Sequence, residues 1–91
     1  MDEVKKETPE EIKINFSIFI SGLMMEALVS LGEVENPVTK KKEENLSHAK
    51  FVIDVLDIIK EKTKNNLSED ESGMLEAVLY ELRMRFLAKS K

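Results

Sequence analysis

The single histidine of this sequence, His48, follows Glu44 by four residues in "ENLSHA". That spacing places both side chains on one face of a helix, where they could offer two ligands to a metal ion. Helical di-iron sites need more, namely a three-residue Glu-to-His spacing and further inward-facing carboxylates, and the sequence has neither. With no cysteine there is no thiolate ligand, no disulfide and no side-chain redox chemistry. No metal and no cofactor are expected.

Two basic groups could meet phosphate. "TKKKEE" carries Lys40, Lys41 and Lys42 in a row, although two glutamates follow at once and no aromatic residue is interleaved for stacking on bases. "YELRMRF" adds Tyr80, Arg83 and Arg85 on a strongly apolar helix, with Glu81 and Arg85 spaced as a helical ion pair. The formal net charge of −4 argues against general nucleic-acid binding. A nucleic-acid or ribonucleoprotein adaptor built on Lys40 to Lys42 with Arg83 and Arg85 is therefore the alternative reading, not the first one.

Carboxylates give no catalytic arrangement. Asp54, Asp57 and Glu61 share a face with Lys50, and the Lys50 and Asp54 spacing makes an ordinary ion pair on a solvated surface. Glu26 is the odd one, a carboxylate inside an apolar helix, and Arg83 or Arg85 is the expected partner. There is no nucleophile motif and no phosphate-cradling glycine loop. The chain reads as a non-enzyme.

The elements that carry these residues are helices. In "IKINFSIFISGLMMEALVSLG" the first residues alternate at a strand's period, but Phe16, Phe19, Ile20, Leu23, Met24, Ala27, Leu28 and Leu31 then follow helical spacing through four turns. The first helix should begin near Asn15 and stop at Gly32, since Pro37 disfavours helical geometry at Asn36. Thr8, Pro9 and Glu11 form a competing capping signal, which would start the helix earlier. The second helix has two candidate caps, Thr39 and Asn45, and the earlier start with a fraying first turn is preferred here. Asn65 or Asn66 should take the left-handed turn after it. Ser68 and Glu71 make a capping box for a third helix from Glu69 to about Ala88, with Leu75, Val78, Leu79, Leu82 and Phe86 on its main stripe.

At 91 residues this is one domain at most, expected to divide into a flexible charged tail over 1–13 and a three-helix domain over 14–91. No secretory signal pattern is recognised, and the apolar segment from Phe16 to Leu31 falls short of the roughly 20 residues a membrane span requires. A cytoplasmic location is the expectation, with no transmembrane segment. Peripheral membrane attachment through the first helix is a further alternative.

Three helices leave apolar surface over. Ile18, Met25 and Val29 lie off the main stripe of the first helix beside Ser21 and Gly22, small residues that would let two copies cross closely about a twofold axis. In the third helix Ala77, Tyr80, Met84 and Leu87 make a second row. Helices apolar around most of their circumference are normally enclosed on several sides, and so short a chain lacks the core to do it. The expected fold is all-α, a three-helix chain forming a homodimeric bundle through Ile18, Ser21, Gly22, Met25, Val29, Tyr80, Met84 and Leu87. Phe16, Phe19, Ile20, Leu23, Ala27, Leu28 and Leu31 should pack within the chain.

The segments "FSIFISGLMMEALVSLGEVENPVT", "NLSHAKFVIDVLDIIKEKTKNNLSEDE" and "VLYELRMRF" together resemble a bacterial family catalogued only as a domain of unknown function, DUF1844. The resemblance covers about residues 16–87, and the family pattern often has Gly where Asn65 stands. It implies a small helical bacterial protein and supplies no activity, ligand or catalytic residue. The function expected from the residues is self-association or interaction with an unidentified protein partner.

Overall fold

The computed structural model describes residues 14–91, which form three helices: α1 over Phe16–Ser30, α2 over Leu46–Lys62 and α3 over Glu69–Lys89. The charged tail and the Thr8 capping signal lie outside the described residues. Asn15 is the cap of α1, its side chain accepting from the N–H of Ile18 at 2.9 Å. The helix closes at the expected place. Gly32, at φ 77°, occupies the left-handed position after the C-cap Leu31, while Gly32 N–H donates to Val29 O and Glu33 N–H to Leu28 O, each at 3.0 Å. This pair of bonds is the Schellman arrangement, which satisfies two carbonyls that the helix end would leave open.

The second helix starts at Leu46, capped by Asn45, and not near Thr39 as the lysine-rich stretch suggested. Residues 36–41 close on themselves instead. Asn36 N–H donates to Lys41 O at 2.8 Å, Lys40 N–H to Asn36 O at 2.7 Å, and the Asn36 side chain accepts from Val38 N–H at 2.8 Å. Lys40 takes φ 62°, which no helix can contain. Asn36 competes for the backbone donors that a helical first turn would need.

Leaving α2, Thr63 donates its hydroxyl to Ile59 O at 2.7 Å and Asn65 adopts φ 68°. Asparagine tolerates that region better than most side chains. The capping box of α3 forms in full, with Ser68 Oγ accepting from Glu71 N–H and the Glu71 carboxylate accepting from Ser68 N–H. Glu69, Asp70 and Glu71 also place negative charge at the positive end of the helix.

Antiparallel neighbours α1 and α2 are joined at their base, where Asn45 N–H donates to Ser30 O at 2.7 Å. Helix α3 reverses again and packs on both. The core between them consists of Ile20, Ala27 and Leu31 from α1 and its C-cap, Ala49, Val52, Ile53 and Leu56 from α2, and Leu75, Val78, Leu79 and Leu82 from α3. Each large aliphatic member stabilises the fold by roughly 1.5–3 kcal/mol through removal from water. Ion pairs bind α3 to this same end: Lys89 reaches Glu44 at 3.3 Å and Glu33 at 3.7 Å, and Arg85 reaches Glu33 at 3.3 Å. The last turn of α3 is thereby fastened to the loop after α1.

Phe19 is not in this core; it is 50% exposed. One residue step turns a helix by about 100°, so with Ile20 at the centre of the buried stripe Phe19 falls on its edge. Phe51 and Ile58, both among the apolar positions of α2, point away from the core as well, at 60% and 55% exposure. Helical phase places both nearly opposite Ala49.

Candidate functional site

Apolar side chains stand exposed in rows on the outer sides of α1 and α3. On α1, Ile18 and Met25 are 42% and 51% exposed, Ser21 and Gly22 are exposed between them, and Val29 is half-buried. On α3, Tyr80, Met84 and Leu87 are 67%, 50% and 58% exposed. The same helices bury Ile20, Ala27, Leu75, Val78, Leu79 and Leu82 on their inner sides. Two opposed apolar rows on one helix explain why neither α1 nor α3 divides into one apolar and one polar face.

Spacing fixes which of these residues meet. Ala77, Tyr80, Met84 and Leu87 recur at intervals of three, four and three, which holds them within an arc of about 80° on the helix. On α1, Gly22, Met25 and Val29 line a hollow of about 430 Å³ together with Glu26, Ser30, Asn36, Pro37 and His48. A second groove, of about 340 Å³, runs between α1 and α3 and is lined by Met24, Leu28, Ala77, Val78, Glu81 and Arg85. The two rows lie on different helices and do not form one continuous stripe.

Glu26 is paired, but with His48 and not with either arginine. His48 Nε2 lies 2.6 Å from Glu26 Oε2, the imidazole N–H donating to the carboxylate. Antiparallel packing of α1 on α2 brings these two positions level, whereas both arginines have other partners. Arg83 donates to Asp57 on α2, and Arg85 binds Glu81 at 2.6 Å as the helical spacing predicts. His48 also stacks on Phe51, ring centroids 5.7 Å apart. Glu44, its neighbour in the hypothetical metal pair, turns instead to Lys89. Among the described residues no group of three or more His, Cys, Asp or Glu side chains is arranged to hold a metal ion.

Lys50 and Asp54 form the expected pair at 2.8 Å. Lys40, Lys41 and Lys42 lie exposed on the closed loop, which itself presents Val38 to solvent. No described helix is long and apolar enough to cross a membrane. Beyond the residues anticipated from sequence, the structure exposes a third row, Phe51 and Ile58 with half-buried Val55, along the outside of α2. Its signal was available in the spacing of three and four residues, but only the position of the core tells which face such a row occupies.

The family model described as "Domain of unknown function (DUF1844)" matches residues 13–88. No curated protein and no solved structure matches the chain.

Proposed function

The chain belongs to the DUF1844 family over nearly all of its described length, and from the geometry above we propose that it is a non-enzymatic helical interaction protein that associates with itself. The observation that carries this reading is the exposure of Ile18, Met25, Tyr80, Met84 and Leu87 on the outer sides of α1 and α3. Exposed apolar side chains grouped in rows on a small domain mark interaction sites, whereas scattered single residues do not. Association through this surface would remove apolar side chains from water and couple association to stability. Ile18, Ser21, Gly22, Met25 and Val29 with Tyr80, Met84 and Leu87 form the proposed surface.

The alternatives have less support. An adaptor for nucleic acid or ribonucleoprotein would draw on the exposed Lys40, Lys41 and Lys42 with Arg83 and Arg85, and of these both guanidinium groups are engaged with carboxylates of the same chain. Membrane attachment through α1 would use the same apolar row without a second copy.

Sedimentation equilibrium tests the proposal. The wild type should be dimeric at micromolar concentration with a melting temperature that rises with concentration, and both Ile18→Lys with Val29→Lys and Tyr80→Lys with Leu87→Lys should weaken association at least tenfold. A wild-type monomer with a concentration-independent melt would rule the reading out. Binding to oligonucleotides that fades steeply with salt, or flotation with liposomes, would favour the alternatives.

A further inference from the structure

The outer row of α3 carries more information than its exposure. Gly73, Ala77, Tyr80, Met84 and Leu87 recur at alternating intervals of four and three, the 3.5-residue period of a coiled-coil seam. No charged side chain interrupts the row between Gly73 and Leu87. The bordering charges are already used within the chain, Glu76 with Lys60 at 3.7 Å, Arg83 with Asp57, and Glu81 with Arg85. A partner on this row therefore needs apolar surface and no charge of its own, which is what a second α3 offers.

The order of sizes along the row fixes the direction. Its first positions are small, Gly73 and Ala77, and its later ones large, Met84 and Leu87. Two copies running parallel would set Gly73 against Gly73 and Ala77 against Ala77, leaving a gap, while Leu87 met Leu87. Running antiparallel, the row fits its own reversal: Ala77 faces Leu87 and Tyr80 faces Met84. Tyr80 and Met84 then make a sulfur–aromatic contact in the central layers.

We infer that two copies pair through α3 in antiparallel register, about a twofold axis at the level of Leu82. This rests on the proposed self-association and adds its geometry. Tyr80, Met84 and Leu87 expose roughly 350 Å² together, less than the ~800 Å² per partner of a standard interface. The partner's α3 accordingly leans over the groove beside Ala77, where Met24 and Leu28 of α1 supply further apolar area.

The absence of cysteine makes a direct test possible. Ala77→Cys and Leu87→Cys are prepared separately, with tags of different size, and oxidised alone and as a re-equilibrated mixture. Helical content by circular dichroism and sedimentation are measured on the same samples. In the antiparallel register identical positions are offset by about 15 Å along the axis, beyond the reach of a disulfide. Each variant alone should give at most a few per cent of cross-linked dimer, and the mixture a heterodimer at least tenfold more abundant. Self-linking of either variant alone, or a dimer by sedimentation that yields no mixed disulfide, overturns this register while leaving self-association standing. Monomeric wild type and variants overturn both.

Discussion

The backbone N–H of Asn45 donates to the carbonyl of Ser30, so the residue that caps α2 is also fastened to the last turn of α1. Its side chain meanwhile accepts from His48 N–H at 3.1 Å. One residue thus fixes both where α2 begins and how it is set against α1. Asn45→Ala should lower stability by about 1 kcal/mol and the melting temperature by roughly 4–8 °C, whereas Asn45→Asp should retain most of it. Equal melting of Asn45→Ala and wild type would mean that the cap contributes nothing.

Gly32 and Gly73 should respond in opposite directions to the same substitution. At Gly32 φ is 77° and an added Cβ would lie 2.9 Å from Glu44 Cγ, so Gly32→Ala loses on both backbone conformation and space. Left-handed backbone alone costs a side chain about 1–2 kcal/mol. At Gly73 an added Cβ meets no atom within 4 Å, and the helix gains roughly 0.8–1 kcal/mol of propensity. Urea denaturation at low protein concentration should place Gly32→Ala below wild type and Gly73→Ala above it.

Asn65, at φ 68°, offers a milder version of the same comparison. Asn65→Gly should be neutral or stabilising, and Asn65→Ala destabilising by about 1 kcal/mol. Thermal melts of the two variants beside wild type check the order, and Ala above Gly would contradict the left-handed turn.

Leu56 and Phe51 lie on the same helix and look equally apolar in sequence, but only Leu56 is fully buried. Leu56→Ala should cost about 2–5 kcal/mol, enough to unfold much of a domain this small. Phe51→Ala should change stability far less. Denaturant midpoints that ranked the two the other way round would show that the core is misassigned.

Arg83 and Asp57 join α3 to α2, yet both side chains are nearly half exposed. A double-mutant cycle with Arg83→Ala and Asp57→Ala should give a coupling below about 1 kcal/mol that shrinks as salt rises. A coupling of several kcal/mol, insensitive to salt, would require a desolvated pair.

Much of the architecture was legible in the residues. Local signals act over three or four positions, and these placed Asn15 at the start of α1, Gly32 at its end and the Ser68 and Glu71 capping box, and narrowed the left-handed turn after α2 to Asn65 or Asn66, of which the fold uses Asn65. Apolar periodicity established three helices and the inner stripe of α3, because the spacing of Leu75, Val78, Leu79 and Leu82 is itself the geometry of a helix face. The start of α2 was misread, since Thr39 and Asn45 are equally good caps when considered locally. The choice was made by Asn36, whose hydrogen bonds close the loop over 36–41, and by the contact of Asn45 with Ser30. The partner of Glu26 was misread for a related reason: no sequence rule says that position 26 lies level with position 48, a fact created by antiparallel packing. Phe19, Phe51 and Ile58 show the remaining limit. A side chain's apolar character is a property of the sequence, but whether it is buried depends on the rotation of its helix about the shared core, which only the packing of all three helices fixes.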